Sequence, residues 1–331
     1  MKLNSLVIFI LLCPTYLFGQ SQPLNNSFVA FTVQEKDLLP ENIAYDKKEE
    51  AFYIGSTRKG KIIKIFKNGD QEVFLESGRY GQWMIIGMKI DPERRILWAC
   101  SSGGGNLVGY SQEDDKEGRP AGIFKFNLDT GELIKKYTFT KQGEVHFFND
   151  IVLAKNGDVF ITHMFKDPAI YTISKRTDNL EPLFSGEGLR YPNGLTLSED
   201  EKYLFIAHSN GISRLDIGSG NLHPLNKPGS LKISGAESID GLYYYQGSLI
   251  GVQSDIETVQ RFTLNENMDE IISSELLEVG HPMMDHPTTG VIADSQFYYI
   301  ANAQFERFNE DGTLFPDHKL YEPVVLKVEL K

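Results

Sequence analysis

The chain has 331 residues, 41% hydrophobic and 24% charged, the make-up of a globular protein long enough to bury a large core without disulfides or a structural metal. A formal net charge of −12 leaves no basic stripe to neutralise phosphates and opposes an anionic membrane surface, so no nucleic-acid partner is expected. Twenty-one Phe, 15 Tyr and 30 Gly favour strands and tight turns over helices.

The first residues read as an export signal. Lys2 supplies the positive start, Leu6 to Leu12 form an apolar run, and Gly19 is a small residue before a cut at Gln20. Residues 1–19 are thus expected to be a signal peptide and 20–331 one exported domain, periplasmic or secreted. The run is too short for a membrane span, which takes about 20 apolar residues. Cys13 raises the alternative of a lipid anchor, but Leu11 and Leu12 lack the small side chains of such sites. Removing the leader leaves Cys100 alone, so no internal disulfide forms. In Leu97-Trp98-Ala99-Cys100 it reads as a small buried hydrophobe.

Beyond the leader the chain repeats one unit. Units open at Glu41, Ile86, Asn149, Asn193, Asp240 and Thr289, separated by 45, 63, 44, 47 and 49 residues, the period of propeller blades. The long interval holds a polar insertion, Gln112 to Arg119. Each opening strand is followed by a strongly apolar one, such as Phe52-Tyr53-Ile54 or Leu204-Phe205-Ile206. Third and fourth strands are joined by hairpin signals such as Asn68-Gly69. Four strands in each of six repeats predict an all-β, six-bladed β-propeller. The last unit ends one strand short at Val324–Val328, and Phe28–Val33 is expected to supply that strand and close the ring.

The openings of the six units line a propeller's central channel, and four of them carry oxygen donors: Glu41, Asn149, Asn193 and Asp240. Two carboxylates balance a divalent charge and two amides add neutral ligands, an all-oxygen set suited to one divalent ion. Ca²⁺ fits best, while Zn²⁺, Mg²⁺ and Mn²⁺ are not separated by ligand type alone. Taken singly, Asn193-Gly194 and Asp240-Gly241 also read as turn pairs. Ends of the second strands return to the same face as the ligands, placing His163 and His208 as substrate contacts or proton shuttles. His146 flanks Asn149, and His286 is a rim candidate.

Pro40-Glu41-Asn42-Ile43-Ala44, Asn149-Asp150 through Gly157-Asp158-Val159-Phe160-Ile161-Thr162, Pro192-Asn193-Gly194 and Asp240-Gly241, in that order, resemble the motifs of the gluconolactonase and senescence-marker-protein family, related to paraoxonases and phosphotriesterases of the same fold. The resemblance implies one catalytic divalent ion held by Glu41, Asn193 and Asp240, with Asn149 on the ion or the substrate. Two departures matter. Phe147 stands where sugar lactonases carry an Arg, and Ile86-Gly87-Met88 lacks the His of the paraoxonase dyad.

The expected function is metal-dependent hydrolysis of a small-molecule lactone or related ester by a monomer, with Asp240 as general base or nucleophile. The alternative is a non-catalytic ligand- or protein-binding propeller with a structural Ca²⁺, using Trp83, Met84, Phe147 and Phe148 as an apolar surface.

Overall fold

Alternating apolar residues and β-branched runs fold into twenty-four strands in the computed structural model, which describes residues 23–110, 114, 117–231, 233, 239–309 and 311–331. The expected leader, its cleavage point and Cys13 lie outside the described residues. Strand β1 (Phe28–Thr32) comes first. The first blade is β2 (Pro40–Asp46), β3 (Ala51–Ser56), β4 (Ile62–Phe66) and β5 (Gln71–Leu75). The second is β6 (Met84–Asp91), β7 (Ile96–Ser102), β8 (Ala121–Asn127) and β9 (Leu133–Phe139). The third is β10 (Phe148–Leu153), β11 (Val159–His163), β12 (Ala169–Ile173) and β13 (Leu180–Ser185). The fourth is β14 (Leu195–Leu197), β15 (Tyr203–His208), β16 (Gly211–Asp216) and β17 (Leu222–Pro224). The fifth is β18 (Leu242–Tyr245), β19 (Ser248–Gln253), β20 (Thr258–Leu264) and β21 (Ile271–Val279). The sixth is β22 (Gly290–Ala293), β23 (Gln296–Ile300) and β24 (Val324–Glu329), completed by β1.

All six sheets are antiparallel and four-stranded, so the six-bladed propeller is as the repeats predict. Gly69, with φ of +90°, turns the chain between β4 and β5 as its Asn-Gly pair indicates. The ring closes at two radii. On the outside β1 pairs with β24, Val29 opposite Leu326. On the inside, Thr288 and Thr289 donate their hydroxyls to the Glu41 carbonyl at 3.0 and 2.7 Å, joining sixth blade to first.

The core is distributed between blades. Tyr53 of the first blade meets Phe124 and Met88 of the second, and Phe297 of the sixth meets Ile250 and Val252 of the fifth, all fully buried. The closing interface has its own cluster, with Ile43 and Ile54 against Ile300 and Val325. Each blade therefore packs its inner strands against both neighbours, and the closing cluster joins the sixth blade to the first. Cys100 is fully buried, as expected, and is a free thiol. No helix among the described residues is long and apolar enough to cross a membrane.

Candidate active site at the end of the channel

Backbone irregularities aim the channel side chains. Pairing between β2 and β3 slips between Pro40 and Asn42, leaving Glu41 as the extra residue. The same slip falls between Ile85 and Met88, around Ile86, and between Phe148 and Ile151, around Asn149. A bulge bends its strand and redirects one side chain, so three of the six unit openings are turned by the same device. In the fourth and fifth blades, Asn193 and Asp240 stand just before the first strand instead.

The glycine after an opening residue is not a turn glycine here. Gly194 and Gly241 have ordinary backbone angles. A Cβ on Gly194 would lie 2.6 Å from the Leu242 nitrogen and 2.7 Å from the Asp240 carbonyl. A Cβ on Gly87 would collide with the Asn149 carbonyl in the same way. These glycines let innermost strands of adjacent blades touch backbone to backbone, which corrects the turn-pair reading of Asn193-Gly194 and Asp240-Gly241 and narrows the channel around its polar residues.

Glu41, Asn149, Asn193 and Asp240 all line one cavity of about 270 Å³ at this end of the channel. Both carboxylates are 8% exposed. Asn193 Nδ2 donates to Asp240 Oδ1 at 2.7 Å, and the Ser254 hydroxyl is shared between the Pro287 carbonyl at 2.5 Å and Asp240 Oδ2 at 3.3 Å. The Asn193 carbonyl oxygen is buried without a hydrogen-bond partner. The Glu41 carboxyl receives no hydrogen bond or ion pair among the described residues, where only its backbone carbonyl is engaged. Burial pushes the Glu41 carboxyl well above the ordinary carboxylate range, and the charges of Asp240 and Asp150 push it further. Burial raises Asp240 as well, opposed by nearby His286 and by the Asn193 and Ser254 hydrogen bonds. Like charges sharing a dry pocket disfavour double ionisation unless a cation stands between them.

That donor set fits a hard divalent cation: two carboxylates, an orphaned amide oxygen and a second amide, Asn149, whose nitrogen reaches only the Met164 sulfur at 3.9 Å. Among the described residues no three His, Cys, Asp or Glu side chains form a metal cage by themselves, so any ion here depends on the asparagines.

The histidines divide. His208 lines the cavity, its Nε2 2.7 Å from Ser213 Oγ. His286 lines it from the sixth blade, beside Phe305. His146 and His163 pair with each other instead, Nδ1 to Nε2 at 3.1 Å, with Glu144 at 3.2 Å from the far nitrogen of His146. They pack among Phe139, Phe148 and Tyr171 and do not belong to the cavity wall. Burial lowers the pKa of both His163 and His208.

Three further contributions escape the repeat reading. Asp150 is buried beside the channel and ties blades together, accepting from the Ile151 and Leu195 amides at 2.8 and 3.3 Å. Its signal was its place next to Asn149. Ser254 follows the end of β19, one residue past the expected column. The aromatic wall of Phe165, Tyr191 and Phe305 comes from loops with no repeat position. The apolar surface expected of Trp83, Met84, Phe147 and Phe148 forms in part: Phe148 is 0% exposed and faces the core between the second and third blades. Met84 and Phe147 reach the cavity, and Trp83 packs on the core.

No protein-family model matches the chain, and no curated protein matches it in sequence. Solved structures do match in shape. The major allergen Mala s 1 of Malassezia sympodialis superposes with a TM-score of 0.67 at 15% identity, covering 93% of this chain and 96% of that one. A gluconolactonase of Xanthomonas campestris gives 0.59 at 14%, covering 93% and 91%. Regucalcin of Agrobacterium tumefaciens, a calcium-binding protein, gives 0.58 at 14%, covering 91% and 94%. The likeness to gluconolactonase-like proteins inferred from four short motifs is thus met at the level of the fold, a six-bladed propeller shared along nearly the whole chain.

Proposed function

We propose that the protein is an exported, monomeric, metal-dependent hydrolase of a lactone or related ester. The observation that carries this reading is the pairing of Asp240 with Asn193 beside an unpaired Glu41 carboxyl, in a cavity large enough for a small substrate. Fold neighbours that include a gluconolactonase and a calcium-binding regucalcin support it.

Glu41, Asn149, Asn193 and Asp240 would hold the ion. When bound, a divalent cation supplies Lewis acidity at the substrate carbonyl and balances the two buried carboxylates. Asn193 holds the Asp240 carboxylate through Oδ1 at 2.7 Å, with the Ser254 hydroxyl a weaker contact at 3.3 Å from Oδ2. Asp240 accepts the proton of a water whose oxygen adds to the carbonyl carbon; the ring C–O bond then breaks and the released oxygen takes up a proton. In the second version of the role, an Asp240 oxygen itself adds to the carbonyl carbon, the ring C–O bond breaks and its oxygen takes up a proton, and water then cleaves the resulting anhydride to release the acid and restore the Asp240 carboxylate. His208 and His286 are on the cavity wall, and of these His208 is assigned the contact with substrate or the relay of the leaving group's proton, with Ser213 Oγ 2.7 Å from its Nε2 and the Asn210 amide donating to its Nδ1 at 3.3 Å.

A panel of lactones and esters, assayed with and without chelator, tests the proposal. Turnover that disappears with chelator and returns with Ca²⁺, Zn²⁺, Mg²⁺ or Mn²⁺ is the expected result. Thermal stabilisation by Ca²⁺ with no turnover of any substrate would instead leave a binding propeller with a structural ion.

A further inference from the structure

The cavity is chemically divided. Glu41, Asn149, Asn193, Asp240 and Ser254 gather polar atoms at one end, whereas Met84, Ile86, Phe147, Met164 and Phe165 make the rest of the second and third blades' lining, Asn106 aside, apolar. The aromatic part of this wall is continuous. Phe147 and Phe165 have ring centroids 5.0 Å apart, and Phe165 meets Tyr191 edge-on at 6.1 Å. Tyr191 is 40% exposed, and neither Phe147 nor Phe165 is fully buried. Arg119 lies over Phe165 at 5.6 Å and Arg190 over Tyr191 at 5.5 Å, and what the three rings leave partly wet beside a buried polar end is apolar surface that a ligand can cover.

We propose that the ligand carries an apolar alkyl or aryl tail laid along Phe147, Phe165 and Tyr191, with its carbonyl head at Glu41 and Asp240, and that polyhydroxylated rings are poor ligands. The head's fate rests on the hydrolase reading, whereas the tail's seat rests on the aromatic wall alone. The physical ground is asymmetric: each methylene laid on the wall leaves water at a gain, whereas each sugar hydroxyl pressed there loses water without a replacement partner. Apart from the Tyr191 hydroxyl, these three rings carry no polar atom, so a sugar hydroxyl laid on them meets ring carbon.

The test uses the mature chain loaded with metal and a series of γ-lactones whose tails lengthen from none to eight carbons, with gluconolactone as the polyol comparison. The expected kcat/KM rises about fourfold per methylene, corresponding to ~0.8 kcal/mol per buried CH₂, until the wall is covered, and gluconolactone falls below the alkyl lactones. Phe165→Ser, with its melting temperature checked, flattens that rise. A flat series, or gluconolactone turned over faster than alkyl lactones, overturns the inference while leaving the hydrolase reading standing. Should no lactone be hydrolysed, the hydrolase reading fails by itself, and calorimetry with lactams bearing the same tails then decides the wall: affinity that climbs with tail length supports it, and length-independent affinity overturns it.

Discussion

Asn193 and Asp240, 47 residues apart in sequence, meet through a 2.7 Å hydrogen bond that fixes which way the amide faces. Its nitrogen must face the carboxylate, since the carbonyl would repel it, so the carbonyl oxygen is left buried without a partner. A buried orphan acceptor beside two buried carboxylates costs free energy in the bare protein. A cation at that point relieves all three groups at once, which links the geometry of one hydrogen bond to the expected metal dependence.

Asp240→Asn removes the base while keeping the shape. Hydrolysis is expected to fall by about 10²- to 10⁴-fold, the usual worth of a positioned general base. The melting temperature of the chelated protein should hold or rise, because one of two facing buried carboxylates is gone. Parent-like turnover by the purified variant sinks the role assigned to Asp240. Single-turnover hydrolysis in ¹⁸O-water bears on its two versions: unlabelled oxygen in the first product marks Asp240 as nucleophile, whereas a labelled product arises from the base version and from water attack on the anhydride's substrate carbonyl alike.

The Glu41 carboxyl, raised above its ordinary 4.5 by burial first and by Asp240 second, ties stability to pH. Between 4.5 and its folded-state value, the folded chain holds a proton that the unfolded chain has released. Without metal this contribution is complete below 4.5 and is lost as pH rises through the folded value. Metal needs the carboxylates ionised, so its affinity grows over the same range. The gap in melting temperature between Ca²⁺-saturated and chelated protein should therefore widen from pH 5 to pH 8, with about 2.7 kcal/mol of stabilisation at 100 times the dissociation constant. Glu41→Gln should abolish the gap and stabilise the chelated protein at pH 8. A gap that narrows as pH rises contradicts the site.

The blades were legible because an apolar second strand such as Leu204-Phe205-Ile206 must be buried on both faces, and it recurs at a fixed interval. Ring closure was legible because Val324–Val328 left a sheet lacking a strand that Phe28–Val33 could fill. The four channel residues were legible as a column, but the bulges that turn Glu41 and Asn149 inward were not: an extra residue in a strand leaves no mark in composition. Nor was the close contact behind Gly194, since Asn-Gly is also the commonest turn chemistry and only the neighbouring backbone tells them apart. His163 and His208 show the limit most clearly. Both end the second strand of their blade, yet one ring turns to His146 and the other to the cavity, a choice set by which side chains surround each.

That division yields a separable prediction. His208→Gln should lower hydrolysis, whereas His146→Gln should leave it near parent. His163, held neutral chiefly by burial, should register in stability. Below about pH 6.5 the unfolded chain takes a proton that the folded chain refuses. The contribution is therefore complete above that value, is lost as pH falls through it, and levels off below the depressed folded-state value. Denaturant unfolding of parent and His163→Gln between pH 5 and 7.5 should show a steeper loss of stability toward acid in the parent. Parallel profiles would mean that His163 does not titrate differently on folding.

The inner-strand contacts make the last prediction one of packing. Gly194→Ala adds a methyl group where the Leu242 nitrogen lies 2.6 Å and the Asp240 carbonyl 2.7 Å away. The φ angle of Gly194 is not left-handed, so no conformational strain is introduced, and the whole effect comes from pushing the fourth and fifth blades apart. Overpacking of this kind costs about 1–3 kcal/mol, read as a lower midpoint in denaturant at unchanged slope. The displacement also acts directly on the Asn193–Asp240 hydrogen bond, because those two residues flank the contact. Metal affinity, measured by titration calorimetry on the folded variant, should therefore fall with stability. Gly69→Ala, at a hairpin where an added Cβ meets nothing within 4 Å, should lower stability through its φ of +90° and leave metal affinity untouched. If both variants lose metal affinity equally, the link between blade spacing and the site is wrong.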